Sequence, residues 1–250
     1  MTVILETQGL SKRFGGLVAT DNVSLKITRG ARHALIGPNG AGKTTLVNQL
    51  TGVLAPTSGR ILLDGEDITR VAPEKRVKRG LVRTFQINQL FPTLTPLEAL
   101  TLTIGERRGI GASAWQPVGV RREIIAEAEA VAGTFRLADV LDVRTSSLPY
   151  GKLRLLEIAL AVAARPRVLL LDEPAAGVPE ADRQELLSTI AALPADVTVV
   201  LIEHDMDIVF RFADRITVLV NGAVFADGNP QDIASDPRVK AVYLGEAHHG

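Results

Sequence analysis

Gly37-Pro38-Asn39-Gly40-Ala41-Gly42-Lys43-Thr44-Thr45 is the stretch of this 250-residue chain that decides its fold. It fits G-x-x-x-x-G-K-[ST], the pattern of loops that cradle phosphate groups. The apolar residues 34–36 precede it and predict a buried strand, and residues 45–50 predict a helix that ends near Gly52. The motif therefore stands at a helix N-terminus, where unpaired N–H groups and the helix dipole attract an anion.

Each residue type in this loop has a task in binding a triphosphate. Three glycines let the backbone approach phosphate oxygens where a Cβ would clash. Lys43 is expected to reach the β- and γ-phosphates, and the Thr44 hydroxyl to bind Mg²⁺. The alternative, a glycine-rich turn before an ordinary helix, leaves the full motif unexplained. We assign the whole loop to nucleotide binding: Gly37, Pro38, Asn39, Gly40, Ala41, Gly42, Lys43, Thr44 and Thr45.

Composition narrows the class of protein. Hydrophobic residues make up 46% of the chain, which is enough for a sizeable core. The 28 basic residues balance the 28 acidic ones, which argues against non-specific nucleic-acid binding as the main task. The absence of cysteine excludes a disulfide framework, a thiolate metal site and a redox role.

Targeting signals are also missing from the sequence. Residues 1–6 carry no basic segment, and no apolar stretch reaches about 18 residues. We therefore expect no signal peptide and no membrane-spanning helix. The expected location is the cytoplasm, with any membrane contact made through a partner.

The N-terminal part of the chain predicts antiparallel strands. Residues 3–28 alternate apolar and polar positions around a turn at Gly15-Gly16, and residues 60–65 predict a further strand. Phe14, just before the turn, is either a platform for an adenine ring or a core aromatic residue. Residues 72–80 predict a short basic helix, whose charges we interpret as a solvated face rather than a nucleic-acid patch.

The middle of the chain is predicted to be mostly helical. Residues 81–85 predict a strand, and a loop follows from Ile87 to Pro96. Helices are expected from Pro96 to about Ala164, with Thr95 as the first N-cap. We expect Trp115 to insert between two helices from a surface loop, and the alternative is a contact with a ligand.

Residues 148–164 combine a loop with an amphipathic helix. Gly151 at the helix start offers bare N–H groups to an anion, a feature that is equally open to a structural interpretation. The predicted apolar face of this helix contains Leu153, Leu156, Leu160 and Ala164.

Acidic residues and a histidine follow two buried strands. Asp172 and Glu173 end the apolar run 168–171, where Asp172 suits a Mg²⁺ shell and Glu173 suits polarisation of a water. His204 follows the apolar residues 197–202, so it should lie on the same sheet edge as the phosphate-binding loop. There it either hydrogen-bonds a γ-phosphate or has a structural role.

The C-terminal part alternates helices and strands. A helix is predicted over residues 180–193, a β-hairpin over 216–228 around Asn221-Gly222, and a helical segment over 230–244.

In this order the motifs resemble the nucleotide-binding subunit of an ABC transporter. The resemblance implies one ABC-type nucleotide-binding domain over residues 1–250. Its α/β fold is a P-loop NTPase core with an antiparallel β subdomain and an inserted α-helical subdomain at about 87–164. It also implies that ATP and Mg²⁺ are held between two subunits paired head to tail. The segments that carry it are Gly37–Thr45, Gln86, Leu148–Lys152, Val168–Glu173 and His204.

Further segments resemble the ATPase subunits of high-affinity branched-chain amino-acid importers. They are Phe14–Gly16, Val82–Gln86, Asp172–Gly177, Leu201–Met206 and Ala241–Glu246. This implies that Phe14 stacks on adenine and that Gly151 contacts the partner subunit's ATP in trans. Gln86 is implied to sense the γ-phosphate and to couple to the permease. The implied catalytic residues are Glu173, His204, Gln86 and Lys43, and the implied Mg²⁺ ligands, partly through water, are Thr44, Gln86 and Asp172.

The sequence departs from the family pattern at two places. The usual Leu-Ser-Gly-Gly-Gln signature is Leu148-Pro149-Tyr150-Gly151-Lys152 here, and Pro149 has neither the hydroxyl nor the N–H of serine. Residues 178–180 stand where an Asp or Asn usually communicates across the dimer. Both departures favour a heterodimer with a non-identical ATPase subunit, with a homodimer as the alternative.

The resemblance implies an ATPase that drives import of branched-chain amino acids through a separate permease, peripheral on the inner face of the cell membrane. A periplasmic or extracellular solute-binding protein is an indirect partner, and no nucleic-acid partner is expected. One alternative is import of another small solute, such as urea, an amide or an aromatic acid. Others are a non-transport ABC protein, which the single motif set disfavours, and a P-loop kinase, which leaves Gln86 and His204 unexplained.

Overall fold

A computed structural model describes residues 2–84, 90–110 and 118–246. The elements in chain order are β1 (Val3–Phe14), β2 (Leu17–Thr28), β3 (Arg32–Ile36), α1 (Lys43–Thr51), β4 (Ser58–Leu63), β5 (Glu66–Asp67), α2 (Pro73–Lys78), β6 (Leu81–Arg83), α3 (Pro96–Arg107), α4 (Val118–Thr134), α5 (Tyr150–Ala163), β7 (Val168–Asp172), α6 (Glu180–Ala191), β8 (Thr198–Ile202), α7 (Met206–Phe212), β9 (Arg215–Val220), β10 (Ala223–Gly228), α8 (Pro230–Ser235) and α9 (Pro237–Glu246). Single 3₁₀ turns lie at Ala138–Val140 and Thr145–Ser147. Among the described residues, no helix is both long and apolar enough to cross a membrane.

The chain forms two compact units. The first contains Met1–Leu81, Arg167–Glu173 and Pro194–Gly250, and the second contains Val82–Pro166 and Pro174–Leu193. The predicted helical insertion at 87–164 falls within the second unit, which also takes in α6. That the whole chain acts as one nucleotide-binding domain stays a prediction.

Two sheets build the first unit. β1, β2, β4 and β5 form an antiparallel sheet in the order β2-β1-β4-β5, as the alternating N-terminal pattern predicts. The second sheet has the order β10-β9-β3-β8-β7-β6, and its strands β9, β3, β8 and β7 run parallel. β6 begins at Leu81, the last residue of the first segment of this unit, and ends at Arg83, earlier than predicted.

Alternation along β3 divides the apolar residues of the first unit into two clusters. Leu35 packs with Leu46 of α1 and with side chains of the antiparallel sheet. Ala34 and Ile36 point to the other face and pack with Val209 of α7 and Ile233 of α8. The predicted single C-terminal helical segment is two helices, α8 and α9, because a new N-terminus begins at Pro237.

The prediction that the charges of the basic helix α2 form a solvated face is wrong for Arg76. Its side chain is 2% exposed, and its guanidinium donates to the carbonyls of Gln49 and Leu50 at 2.8 and 2.6 Å. It also donates to the carbonyls of Val71 and Thr69 at 2.8 and 3.0 Å. A buried guanidinium thus caps the C-terminal end of α1, where unpaired carbonyls and the negative end of the helix dipole favour a cation.

Helices build the second unit. Thr95 caps α3 through a reciprocal pair of bonds with Glu98, as a helix start there predicts. Glu127 of α4 accepts hydrogen bonds from Arg107, Arg108 and Arg165 at 2.7, 2.6 and 2.8 Å. Burial raises the pKa of Glu127, but these three guanidinium groups outweigh it and the net pKa is lowered.

The prediction of which side chains form the buried apolar face of α5 is wrong in part. Leu156 is buried as predicted, but Leu153 and Leu160 are only half-buried. The helix packs against α3, α4 and α6, so its buried surface is wider than one amphipathic stripe. The buried apolar side chains are Leu155, Leu156, Ile158, Ala159, Ala161 and Ala163.

Candidate functional site

The parallel strands bring three predicted motifs to one edge of the second sheet. Leu35 of β3 pairs with Ile202 of β8, and Ile202 pairs with Asp172 of β7. Neighbouring strands lie about 4.8 Å apart, so Asp172 is roughly 10 Å from the strand that leads into the phosphate-binding loop. The loop, Asp172 and His204 therefore meet at the carboxyl edge, where open α/β sheets bind ligands.

The phosphate-binding loop needs its glycines for two different reasons. Gly37 (φ 152°) and Gly42 (φ 95°) approach other backbone, and an added Cβ would lie 2.2 Å from the Leu219 carbonyl oxygen and 2.3 Å from that of Ala19. Gly40 (φ 77°) has open space where its Cβ would point. The loop is thus packed closely on its sheet side and open on the side where a phosphate would sit.

The turn at Asn221-Gly222 supports the loop. The Gly222 N–H donates to the Ala41 carbonyl at 3.0 Å, and the Gly222 carbonyl accepts from the Asp21 N–H at 2.8 Å. Asn221 (φ 49°) and Gly222 (φ 80°) adopt the left-handed conformation of the predicted hairpin turn. Nothing in the local sequence indicated that this turn braces the phosphate-binding loop, because the contact joins segments far apart in the chain.

Lys43 and Thr44 open α1 at the mouth of the loop. Gly42 is the N-cap residue, so the first N–H groups of α1 lack intrahelical partners. The Lys43 ammonium donates to the Gly37 carbonyl and, at 3.0 Å, to the Pro38 carbonyl, so the cation lies against the loop itself. Thr44 is exposed. This end of α1 combines a cation, a helix dipole and accessible donors, which together suit a polyphosphate.

Glu173 and His204 lie close together at the ends of β7 and β8. His204 Nδ1 is 3.7 Å from Glu173 Oε1 and 3.7 Å from Glu203 Oε2. Glu173 has a left-handed backbone (φ 46°), and its N–H donates to the Ile202 carbonyl at 2.9 Å. Its side chain is 46% exposed and that of His204 is 64% exposed, so both reach solvent at this edge. Glu203, by contrast, is buried, and its carboxylate accepts a hydrogen bond from the His204 N–H at 3.1 Å. The sequence analysis did not predict this contact.

Phe14 lies at the end of the β1–β2 hairpin. It pairs with Leu17, is 49% exposed, and has the Lys12 ammonium 5.2 Å from its ring centroid. Ala19, two residues after Leu17, is the residue whose carbonyl faces Gly42 of the loop. Phe14 is therefore an exposed ring on the hairpin that borders the phosphate-binding loop, which fits a stacking platform better than a core residue.

The signature-like segment belongs to the second unit. Pro149 is the N-cap of α5 and makes no side-chain cap bond. Gly151 is buried, and an added Cβ would lie 2.7 Å from Asp182 Oδ2. The Tyr150 hydroxyl donates to the Ala176 carbonyl at 3.0 Å, a contact that sequence reasoning did not foresee. Gln86 and Trp115 lie outside the described residues.

The oxygen donors at the sheet edge fit Mg²⁺. No group of three or more His, Cys, Asp or Glu side chains in the described part of the chain could hold a metal ion by itself. Thr44 offers an exposed hydroxyl and Asp172 a half-buried carboxylate. Mg²⁺ commonly takes one or two such protein oxygens and completes its shell with water and substrate phosphates, so this sparse donor set suits it.

Known proteins resemble the chain along almost its whole length. Residues 20–176 match the ABC transporter family, and residues 223–249 match the branched-chain amino acid ATP-binding cassette transporter family. The high-affinity branched-chain amino acid transport ATP-binding protein BraF of Pseudomonas aeruginosa is 42% identical over 253 residues, covering 98% of both chains. The corresponding protein LivG of Escherichia coli K12 is 39% identical over 251 residues, again covering 98% of each.

A solved structure shows the same fold. The crystal structure of the ADP conformation of MJ1267, an ATP-binding cassette of an ABC transporter, superposes with a TM-score of 0.85 at 32% identity. The superposition covers 98% of this chain and 100% of that one. The predicted P-loop NTPase fold is thus confirmed.

Proposed function

The chain belongs to the ABC transporter family, and from that premise we propose that it is the ATP-hydrolysing subunit of an importer for branched-chain amino acids. The observation that carries the proposal is the convergence of the phosphate-binding loop, Asp172, Glu173 and His204 at one sheet edge. The match of residues 223–249 to the branched-chain amino acid family favours this cargo over urea, amides or aromatic acids.

ATP binding is proposed to use the loop and its flanking aromatic ring. Backbone N–H groups of residues 37–45 and the Lys43 ammonium surround the phosphates, and Phe14 stacks on the adenine. Thr44 and Asp172 are the proposed Mg²⁺ ligands, partly through water, and Gln86 is a third. Mg²⁺, when bound, neutralises charge on the β- and γ-phosphate oxygens.

Hydrolysis is proposed to proceed by in-line attack of water on the γ-phosphate. Glu173 accepts a hydrogen bond from the attacking water and orients it, and His204 donates to a γ-phosphate oxygen. The 3.7 Å between their side chains is compatible with both acting on one phosphoryl group. Positioning and charge neutralisation supply most of the rate enhancement, and Gln86 is the proposed sensor of the γ-phosphate.

The working complex is proposed to contain a second ATPase subunit and transmembrane permease subunits. Gly151 at the start of α5 faces the partner subunit's ATP in trans, and the lack of a hydroxyl and an N–H at Pro149 weakens that contact. This asymmetry favours a non-identical partner over a homodimer. The complex would lie on the inner face of the cell membrane and receive solute from a periplasmic or extracellular binding protein.

Replacement of Glu173 by Gln tests the chemistry. The amide keeps the size of the side chain but lacks the negative charge that polarises the attacking water, so we expect Glu173→Gln to bind ATP, to dimerise and to lose at least about 100-fold in turnover. Phosphate release and nucleotide-dependent dimerisation measure the two effects.

Glu66→Gln is the control for this variant, because Glu66 is an exposed acid on β5 that lies outside the site. Its contact with Arg79 is long, at 3.9 Å between the carboxylate and the guanidinium. It should hydrolyse ATP at the normal rate. Wild-type turnover in Glu173→Gln would remove Glu173 from the mechanism.

A further inference from the structure

Tyr150 connects the start of α5 to the turn that follows Glu173 in the chain. Its hydroxyl donates to the Ala176 carbonyl at 3.0 Å. The guanidinium of Arg154, one turn along α5, lies over the tyrosine ring at 5.7 Å and 3.4 Å from the same carbonyl. Arg154 is held in turn by the buried carboxylate of Glu157 at 2.8 Å. One carbonyl oxygen therefore receives two donors from α5.

Gly177 shows how closely the turn fits against this tyrosine. It has a φ of +71°, and an added Cβ would lie 2.8 Å from the Tyr150 hydroxyl and 3.1 Å from the ring carbon that bears it. A side chain at this position would be strained and would displace the hydroxyl. Tyr150 thus occupies the space that the glycine leaves.

The same turn continues directly from Glu173, whose backbone is in the left-handed region at φ 46°. Such a conformation costs a non-glycine residue free energy and persists where the surrounding structure determines it. On the N-terminal side the Glu173 N–H is bonded to the Ile202 carbonyl. On the C-terminal side, the Ala176 carbonyl, three residues further on, accepts from Tyr150 at 3.0 Å and from Arg154 at 3.4 Å, and the Val178 N–H donates to the Ala175 carbonyl at 3.2 Å. The bond from Tyr150 is the shorter of the two from α5.

We propose that Tyr150 is a positioning residue for ATP hydrolysis, whose hydroxyl holds the turn at residues 174–177 and thereby keeps Glu173 in its working conformation. The inference rests on the proposed function. It gives the segment Leu148–Lys152 a second task beside the proposed contact with a nucleotide in trans. Tyr150 itself touches no reacting atom.

The test is Tyr150→Phe in the full-length chain. The ring and its packing with Arg154 stay, and the hydrogen bond from the tyrosine hydroxyl to the Ala176 carbonyl is lost, which leaves only the longer one from Arg154. Because such a bond sets the turn rather than the nucleotide site, we expect kcat for ATP hydrolysis to fall about fivefold with KM for ATP within about twofold of the wild type. Amide hydrogen exchange across residues 174–178 should become faster at the same time.

Thr103→Val is the matched control, because it also removes one hydroxyl bonded to a backbone carbonyl in the second unit, at 3.0 Å from Ala99. It should leave kcat and the exchange of residues 174–178 unchanged. Gly177→Ala is a second variant, which keeps the tyrosine but forces its hydroxyl away from Ala176. It should lower kcat in the same way as Tyr150→Phe.

The possible outcomes separate the inference from the proposed function. Wild-type kcat and exchange in Tyr150→Phe, with normal ATP hydrolysis by the parent chain, would overturn the inference alone. A raised KM with unchanged kcat would also overturn it, because nucleotide binding would then be the step affected. A parent chain that releases no phosphate from ATP would overturn the proposed function first.

Discussion

His33 is a histidine that burial keeps in its neutral form. The Thr217 hydroxyl donates to Asp227 at 2.5 Å, so it accepts at 2.8 Å from His33 Nε2, which must carry the ring proton. His33 Nδ1 is buried and has no hydrogen-bond partner among the described residues. Burial lowers the pKa of His33 from 6.5 to about 4, opposed by Asp227 and assisted by Arg215.

The lowered pKa of His33 predicts that the stability of the fold depends on pH. Between pH 6.5 and about pH 4 the unfolded chain binds a proton at His33 that the folded chain excludes, so stability falls as the pH falls through this window. From about pH 7.5 to about pH 4.5 the free energy of unfolding should drop by about 2.5 kcal/mol more in the wild type than in His33→Gln. Urea unfolding at a series of pH values measures the difference. Parallel pH profiles for the two proteins would contradict the assignment.

At the scale of single elements, α1 depends on a capping group from outside the helix. The C-terminal carbonyls of Gln49 and Leu50 are bonded to Arg76 of α2, whose guanidinium has four carbonyl partners. Gly52 follows in the left-handed conformation that ends the helix, and a Cβ there would meet Arg76 Nε at 2.7 Å. The helix that begins at the phosphate-binding loop is thus fixed at its far end by a buried cation.

Arg76→Met should destabilise the fold, because it leaves four carbonyls without their charged donor while it keeps the aliphatic volume. We expect the free energy of unfolding to fall by about 3 kcal/mol. Arg79→Met is the control: Arg79 belongs to the same short segment, but its side chain is 43% exposed and lies 3.9 Å from an exposed Glu66. That variant should change stability by less than about 0.5 kcal/mol. Equal losses in the two variants, measured by urea unfolding, would argue against a capping role for Arg76.

At the scale of the whole molecule, the proposed function requires other chains. A composite site needs a partner ATPase subunit, and the energy of ATP hydrolysis must reach a permease. In the proposed complex, the permease and the binding protein select the solute. Activity of the assembled complex is therefore the property that tests the proposal at this scale.

Co-expression with the genes that neighbour its own should yield a membrane complex that contains this chain, a permease and a second ATPase subunit. Reconstituted in vesicles, it should release phosphate from ATP at least about threefold faster when the solute-binding protein carries leucine than when that protein is empty, because we expect the loaded protein to bind the complex better in the state with the closed ATPase dimer and so to shift the population toward it. Urea or an aromatic acid in place of leucine is the comparison. Stimulation by one of these but not by leucine would change the proposed cargo, and a chain that hydrolyses ATP without binding any permease would favour a non-transport role.

Local patterns in the sequence determined the phosphate-binding loop, the acidic pair at Asp172 and Glu173, and the position of His204. The loop motif is contiguous, and the acids and the histidine each follow a short apolar run of a length that predicts a buried strand. Because parallel strands share a carboxyl edge, the convergence of these residues followed from the strand assignments alone. The family resemblance supplied roles for Phe14 and Gly151, and the role of Gln86, outside the described residues, stays a prediction.

Only the tertiary structure decided the contacts that join distant segments. The bond from His33 to Thr217 spans 184 residues, and that from Tyr150 to Ala176 spans 26. Arg76 looked like one of several surface cations, because a basic helix carries no local mark of which side chain turns inward. The periodicity of apolar residues indicates which face of an element is buried. It does not indicate which backbone groups of a distant segment need a hydrogen-bond partner, so these polar contacts can be identified only in the folded chain.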